Sequence, residues 1–163
     1  MTIEDDIALL ERVPTFAQLG REALRILAIG SEARSVDMGE VLFRAGESAD
    51  SGYVIETGSF KLVSAQEGGR PAVAQRGALL GELALLTATR RPAMAIAQEP
   101  SSVMRIGRPL FLKMLDGYPD VAQRLQRTML ARTEQVTEEL GSVRDALGID
   151  QSAGARTAAG GRG

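Results

Sequence analysis

A chain of 163 residues, 44% hydrophobic and 25% charged, has the balance of an ordinary globular protein with room for one domain plus a tail. Its net charge of −2 supplies no general positive field for a nucleic acid or an anionic membrane, so any anion has to be caught locally. With no Cys and no His, the chain lacks disulfides, thiol nucleophiles, imidazole acid–base groups and the usual zinc ligands, which argues against an enzyme and against a metal site.

Residues 3 to 12 place Ile3, Ile7, Leu9 and Leu10 at helical spacing, with acids at Glu4, Asp5 and Asp6 where a signal peptide would be basic. No apolar run approaches the roughly 20 residues of a membrane span, so a cytoplasmic location is expected. The Val13-Pro14-Thr15-Phe16 break leads to a second short helix over about 20–29. From Ser31 to Ile106 the pattern becomes short runs punctuated by Gly39, Gly46, Gly52, Gly58, Gly68-Gly69, Gly77 and Gly81, the mark of turns between short strands. Within it Tyr53-Val54-Ile55 reads as a buried run. Phe60, Leu62 and Ser64 alternate with Ser59, Lys61 and Val63, and Gly68-Gly69 reads as a hairpin turn. Leu83, Leu85 and Leu86 then share one short helix, followed by strands over Met94–Gln98 and Ser102–Ile106.

From Pro109 to about Leu147 the chain is expected to be helical, interrupted at Gly117-Tyr118-Pro119, where Pro suits the first turn of a new helix. Val136, Leu140, Val143 and Leu147 follow at the 4, 3, 4 spacing of a coiled-coil seam. Two readings stand: a homodimer seam, or a helix packed on its own barrel. Beyond Gly148 the composition of Gly, Ala, Ser and Arg predicts a disordered tail over 148–163.

The chemistry concentrates between Gly77 and Ala93. A Gly-bounded helical turn between strands offers backbone N–H groups to a phosphate, Arg91 brings a fork of donors to the same place, and the Glu82 carboxylate suits a pair of sugar hydroxyls. Together these describe a ribose phosphate. A surface loop with a Glu82–Arg91 salt bridge is the alternative.

Gly81-Glu82-Leu83-Ala84, a spacer and Arg91 before Pro92 and Ala93 resemble the phosphate-binding cassette of the cyclic-nucleotide-binding domain family. Upstream, Asp37-Met38-Gly39-Glu40-Val41-Leu42-Phe43-Arg44-Ala45-Gly46-Glu47, then Asp50, Tyr53-Val54-Ile55 and Gly58, are similar to that family's glycine-punctuated strands. The resemblance implies an α+β fold: a jelly-roll-like antiparallel β-barrel (31–106) between N-terminal helices (1–30) and two C-terminal helices (108–147), with a short cassette helix. It implies that Glu82 takes the ribose 2′-hydroxyl and Arg91 the cyclic phosphate. The backbone at Gly81, Leu83 and Ala84 would hold other oxygens, with Pro92 and Ala93 bordering the phosphate. Leu62, Ala72, Ala74 and Leu80 would line the base side, and Arg132 and Val136 would cover the purine from the final helix.

One departure matters. Members usually offer a backbone N–H after the cassette Arg, and Pro92 has none. Neither Pro92 nor Ala93 supplies the hydroxyl that cyclic-GMP-preferring members carry beside that Arg, which tilts the expectation to cyclic AMP over cyclic GMP. The residues after Leu147 are too few for a DNA reader, and Arg156 and Arg162 make no basic face. The expectation is therefore a sensing module without cofactor that signals to an effector protein or to its own dimer through the final helix. The alternative is a degenerate scaffold domain that binds nothing.

Overall fold

A computed structural model describes residues 2–64 and 70–127. The first helix, α1 (Ile3–Glu11), starts at Thr2, whose hydroxyl accepts the Asp5 N–H at 3.1 Å while the Asp5 carboxylate accepts the Thr2 N–H at 3.0 Å. This reciprocal cap holds the Asp5 pKa below its usual value, its hydrogen bonds with Thr2 being the main cause. Glu4, Asp5 and Asp6 are thus first-turn residues, set favourably at the positive end of a helix. The Pro14 break is a single 3-10 turn (Pro14–Phe16), followed by α2 (Arg21–Gly30).

Ten short strands follow among the described residues: β1 (Glu32–Val36), β2 (Val41–Phe43), β3 (Ser48–Ala49), β4 (Ser51–Thr57), β5 (Ser59–Ser64), β6 (Ala72–Gln75), β7 (Leu79–Leu80), β8 (Thr89–Arg90), β9 (Ala93–Ala97) and β10 (Ser101–Gly107). All pairings are antiparallel, in one sheet of order β1-β10-β4-β7, a second of order β2-β9-β5-β6 and a ribbon β3-β8. Val36, Tyr53, Ile55, Leu80 and Val103 from the first sheet and Phe43, Phe60, Ala74, Ala95 and Ala97 from the second form one buried cluster. Two sheets face each other across a shared core, the double-sheet form of the expected jelly roll.

Leu62 packs partly buried against this core, one residue after exposed Lys61, as the alternation predicts. Phe60 stands opposite Ala74 and Leu62 opposite Ala72, as in a hairpin. The Gly68-Gly69 connection lies outside the described residues. Gly52 departs from its reading as a turn: it sits inside β4, where a Cβ would press on Leu79 and Leu85 at 3.2–3.3 Å. Here Gly serves close packing, which a count of glycines does not distinguish from a turn.

The chain then enters α3 (Arg108–Asp116), packed against α2, with the Phe111 ring 5.8 Å from that of Phe16. Residues 119–127 are helical again, as the Pro119 signal predicts. Val136, Leu140, Val143 and Leu147 of the expected seam, and the expected tail, lie outside the described residues. Among the described residues no helix is long and apolar enough to cross a membrane.

Candidate functional site

Between Leu80 and Ala93 the chain leaves one sheet, makes a turn and enters the other, and that crossing builds one wall of a cavity of about 430 Å³. The helical turn expected here is a 3-10 turn of four residues (Glu82–Leu85), a form suited to so short a span. Gly81 precedes it at φ +80°. A side chain at this position would be strained, and its Cβ would lie 2.3 Å from Arg91 Nη1 and 3.1 Å from the Ser51 carbonyl oxygen. The glycine lets the guanidinium come down onto the turn. Ala84 is the first residue of the turn to bond back, its N–H to the Gly81 oxygen at 3.1 Å. The amides of Glu82 and Leu83 precede that bond, and that of Ala84 is engaged within the turn.

Arg91 is the residue around which the site is organised. Its backbone is fixed on both sides: its N–H donates to the Glu47 oxygen at 2.8 Å, and its own oxygen accepts the Gly46 N–H at 2.8 Å. The side chain therefore runs inward, to 5% exposure. There the guanidinium carbon lies 4.5 Å from the centre of the Phe43 ring and 5.5 Å from that of Tyr53, two rings stacked 5.9 Å apart. Nη2 donates to Ser51 Oγ at 3.3 Å, and buried Nη1 has no hydrogen-bond partner among the described residues. Burial draws the Arg91 pKa down, opposed by Tyr53, Asp50 and Glu47, yet a guanidinium keeps its charge in a protein. A buried cation with an unused donor has the chemistry to take an anion.

Glu82 lines the same cavity, but the alternative Glu82–Arg91 salt bridge is not formed. The Glu82 carboxylate instead accepts a hydrogen bond from the hydroxyl of Thr15, a residue 3% exposed in the Pro14–Phe16 turn. Gly81, Leu83, Ala84, Arg91, Pro92, Ala93, Leu62 and Leu80 also line the cavity. Ala72 and Ala74 do not: Ala72 is exposed on β6, and Ala74 is buried in the core beside Phe60. Arg132 and Val136 lie outside the described residues.

Sequence reasoning missed Ser51, Thr15, Thr89 and the ring pair Phe43–Tyr53. Phe43 and Thr89 line the cavity, the latter adding a hydroxyl-bearing side chain. A pair of aromatics beneath an Arg leaves no local signature here, since Phe43 stands on β2 of one sheet, Tyr53 on β4 of the other, and Arg91 in the link between β8 and β9. Among the described residues no group of three or more acidic side chains could hold a metal ion.

Residues 33–118 match the family model described as the cyclic nucleotide-binding domain. A cyclic nucleotide-binding-like protein from Brucella abortus is similar in structure, with a TM-score of 0.61 and 40% identity over 69% of this chain and 98% of that one. In sequence the chain is 34% identical over 126 residues to an uncharacterized NTE family protein of Mycobacterium tuberculosis, covering 77% of this chain. It is 29% identical over 106 residues to a cAMP-dependent protein kinase regulatory subunit of Yarrowia lipolytica, covering 65% of this chain. The chain spans 21% of the length of the Mycobacterium tuberculosis protein and 28% of that of the Yarrowia lipolytica subunit. Since the matched segment runs from β1 through α3 and contains every residue gathered around Arg91, the chain belongs to the cyclic nucleotide-binding domain family.

Proposed function

We propose that this chain is a cyclic-AMP sensor that acts by binding, not by turnover. The observation that carries the reading is Arg91: a buried guanidinium stacked on Phe43, with Nη1 unpaired beside Gly81. A cyclic phosphate seated there would accept from Nη1 and from the amides of Glu82 and Leu83. The Glu82 carboxylate lines the cavity as an acceptor suited to a ribose hydroxyl, and Leu62, Leu80 and Leu83 give the base an apolar wall. The similarity to a cAMP-dependent kinase regulatory subunit supports cyclic AMP as the ligand. A change of surface around the C-terminal helices, read by an effector protein or by a second copy, would report occupancy.

The competing reading, a scaffold domain with an inert pocket, leaves the unpaired buried Arg91 without purpose. Calorimetric titration with cyclic AMP and cyclic GMP decides between them. Saturable binding with cyclic AMP the tighter ligand is expected. No heat from either nucleotide, in a chain shown to be folded, would leave the scaffold.

A further inference from the structure

Arg108 is the first residue of α3, and it stands there against the preference of a helix N-terminus: no acid occupies the first turn, and a cation meets the positive end of the macrodipole. Its contacts explain the placement. Nε donates to the Ala84 carbonyl oxygen at 2.9 Å, Nη2 donates to the Ala49 carbonyl oxygen at 2.6 Å, and the backbone N–H donates to the Asp50 oxygen at 2.8 Å. Ala84 ends the first bonded step of the cassette turn, Ala49 lies on β3, and both line the cavity from buried positions. One side chain thus joins both walls of the cavity to the start of α3.

We propose that Arg108 is a positioning residue for nucleotide capture, its planar fork setting the cassette turn and β3 at the spacing the ligand needs and fixing that spacing to α3. This role rests on the reading of the cavity as a nucleotide site. Only Arg reaches two carbonyls in a fixed fork; Lys keeps the charge but presents one nitrogen, and Gln keeps a donor without charge or reach. At the end of the turn the Leu86 and Thr87 N–H groups both go to the Leu83 oxygen, at 3.1 and 3.2 Å, and the Ala84 carbonyl takes the guanidinium instead, which ties that end to α3.

The test compares wild type, Arg108→Lys and Arg108→Gln by titration with cyclic AMP and by amide hydrogen exchange of the empty chain. Both variants should bind at least about tenfold more weakly, the loss of one charge-assisted bond to a wall. In both, exchange should quicken over Glu82–Leu85 and at the start of α3 while the Phe60–Val63 amides keep wild-type protection. That local pattern is one which general destabilisation would not give, and should Arg108→Gln fail to fold, Arg108→Lys carries the test. If Arg108→Lys binds as tightly as wild type, or if exchange quickens uniformly, the positioning role is overturned while the nucleotide reading stands. A wild-type chain that binds no nucleotide overturns both.

Discussion

Replacing Arg91 by Met separates the two jobs that a buried cation can have. In the empty chain Nη1 is unpaired at 5% residue exposure, a deficit of about 1–3 kcal/mol for a neutral donor and more for a charged one. The Phe43 and Tyr53 faces offset about 2 kcal/mol of it, and a 3.3 Å bond to Ser51 adds little. Met fills much of the same volume and keeps a favourable contact with both rings. The Arg91→Met chain, without ligand, is therefore expected to melt at or a few degrees above wild type, at about 2–4 °C per kcal/mol for a chain of this size. Binding tells the opposite story: losing one partner of a buried charge pair removes about 2–5 kcal/mol, or roughly 30-fold to several thousand-fold in affinity. Cyclic AMP at 100 times the wild-type Kd stabilises wild type by about 2.7 kcal/mol, a rise of about 5–11 °C. At the same concentration the variant, weakened by 30-fold or more, gains less than about 1 kcal/mol, a rise of at most about 3 °C. Thermal melts with and without nucleotide, read by circular dichroism, check both halves. A variant that melts far below wild type when empty, yet keeps its full ligand shift, would make Arg91 a structural residue and refute the reasoning.

Gly81→Ala should destabilise the chain by about 1–2 kcal/mol through the left-handed φ, and should weaken nucleotide binding by pushing Nη1 away from the turn. In the Arg91→Met background only the first effect should remain, measured by denaturant unfolding. Pro92→Thr returns a backbone N–H beside the phosphate, so affinity for both cyclic nucleotides should rise by about 2- to 10-fold. Its hydroxyl should shift the ratio toward cyclic GMP, and an unmoved ratio in parallel titrations would defeat that argument. Glu56, buried on β4, has its pKa raised by desolvation and then by the Asp6 carboxylate, with which its side chain shares a hydrogen bond; Asp6 is raised as well, chiefly by desolvation. A carboxyl with a raised folded pKa stabilises fully below its unfolded pKa, near 4.3, and the benefit is lost as pH rises through the folded value. Glu56→Gln should therefore raise Tm near pH 7.5, with the gain shrinking toward pH 4; a gain independent of pH would clear the pair of this role.

What sequence revealed and what it hid follow one division. That Gly81, Glu82 and Arg91 come together at one cavity was legible because they lie within eleven residues. The long strands were legible through burial runs such as Tyr53-Val54-Ile55. The two-residue strands β3, β7 and β8 were not, since so short a run has no period to read. Nor were the contacts that complete the site: Thr15 reaches Glu82 across 67 positions, Ser51 reaches Arg91 across 40, and Arg108 reaches Ala49 across 59. Thr15 reads locally as part of a break and Arg108 as a helix-starting residue before Pro109. Their partners are fixed only when the sheets close around them.

If the cavity takes the proposed nucleotide, its charge balance should distinguish a cyclic phosphate from an open one. A cyclic diester carries a single negative charge, and Arg91 is the one buried cation lining the described walls, beside the carboxylate of Glu82. Arg90 lines the cavity too, but it is exposed and donates to the Gly46 oxygen at 2.9 Å, leaving its charge largely to solvent. Adenosine 5′-monophosphate carries about −1.5 to −2 charges at pH 7, its second pKa being near 6. The added charge finds no buried partner and faces Glu82, a like-charge juxtaposition of several kcal/mol, so its affinity should fall at least about 100-fold below that of cyclic AMP. At pH 5 most of the monoester is singly charged, and its disadvantage should shrink by up to about tenfold, while cyclic AMP, with no group titrating in this range, serves as the reference. Competition titrations of the two nucleotides at pH 5 and pH 7 measure the ratio. A ratio that does not move with pH would mean that the cavity rejects the monoester by shape alone, and that the single buried cation does not set the charge of the ligand.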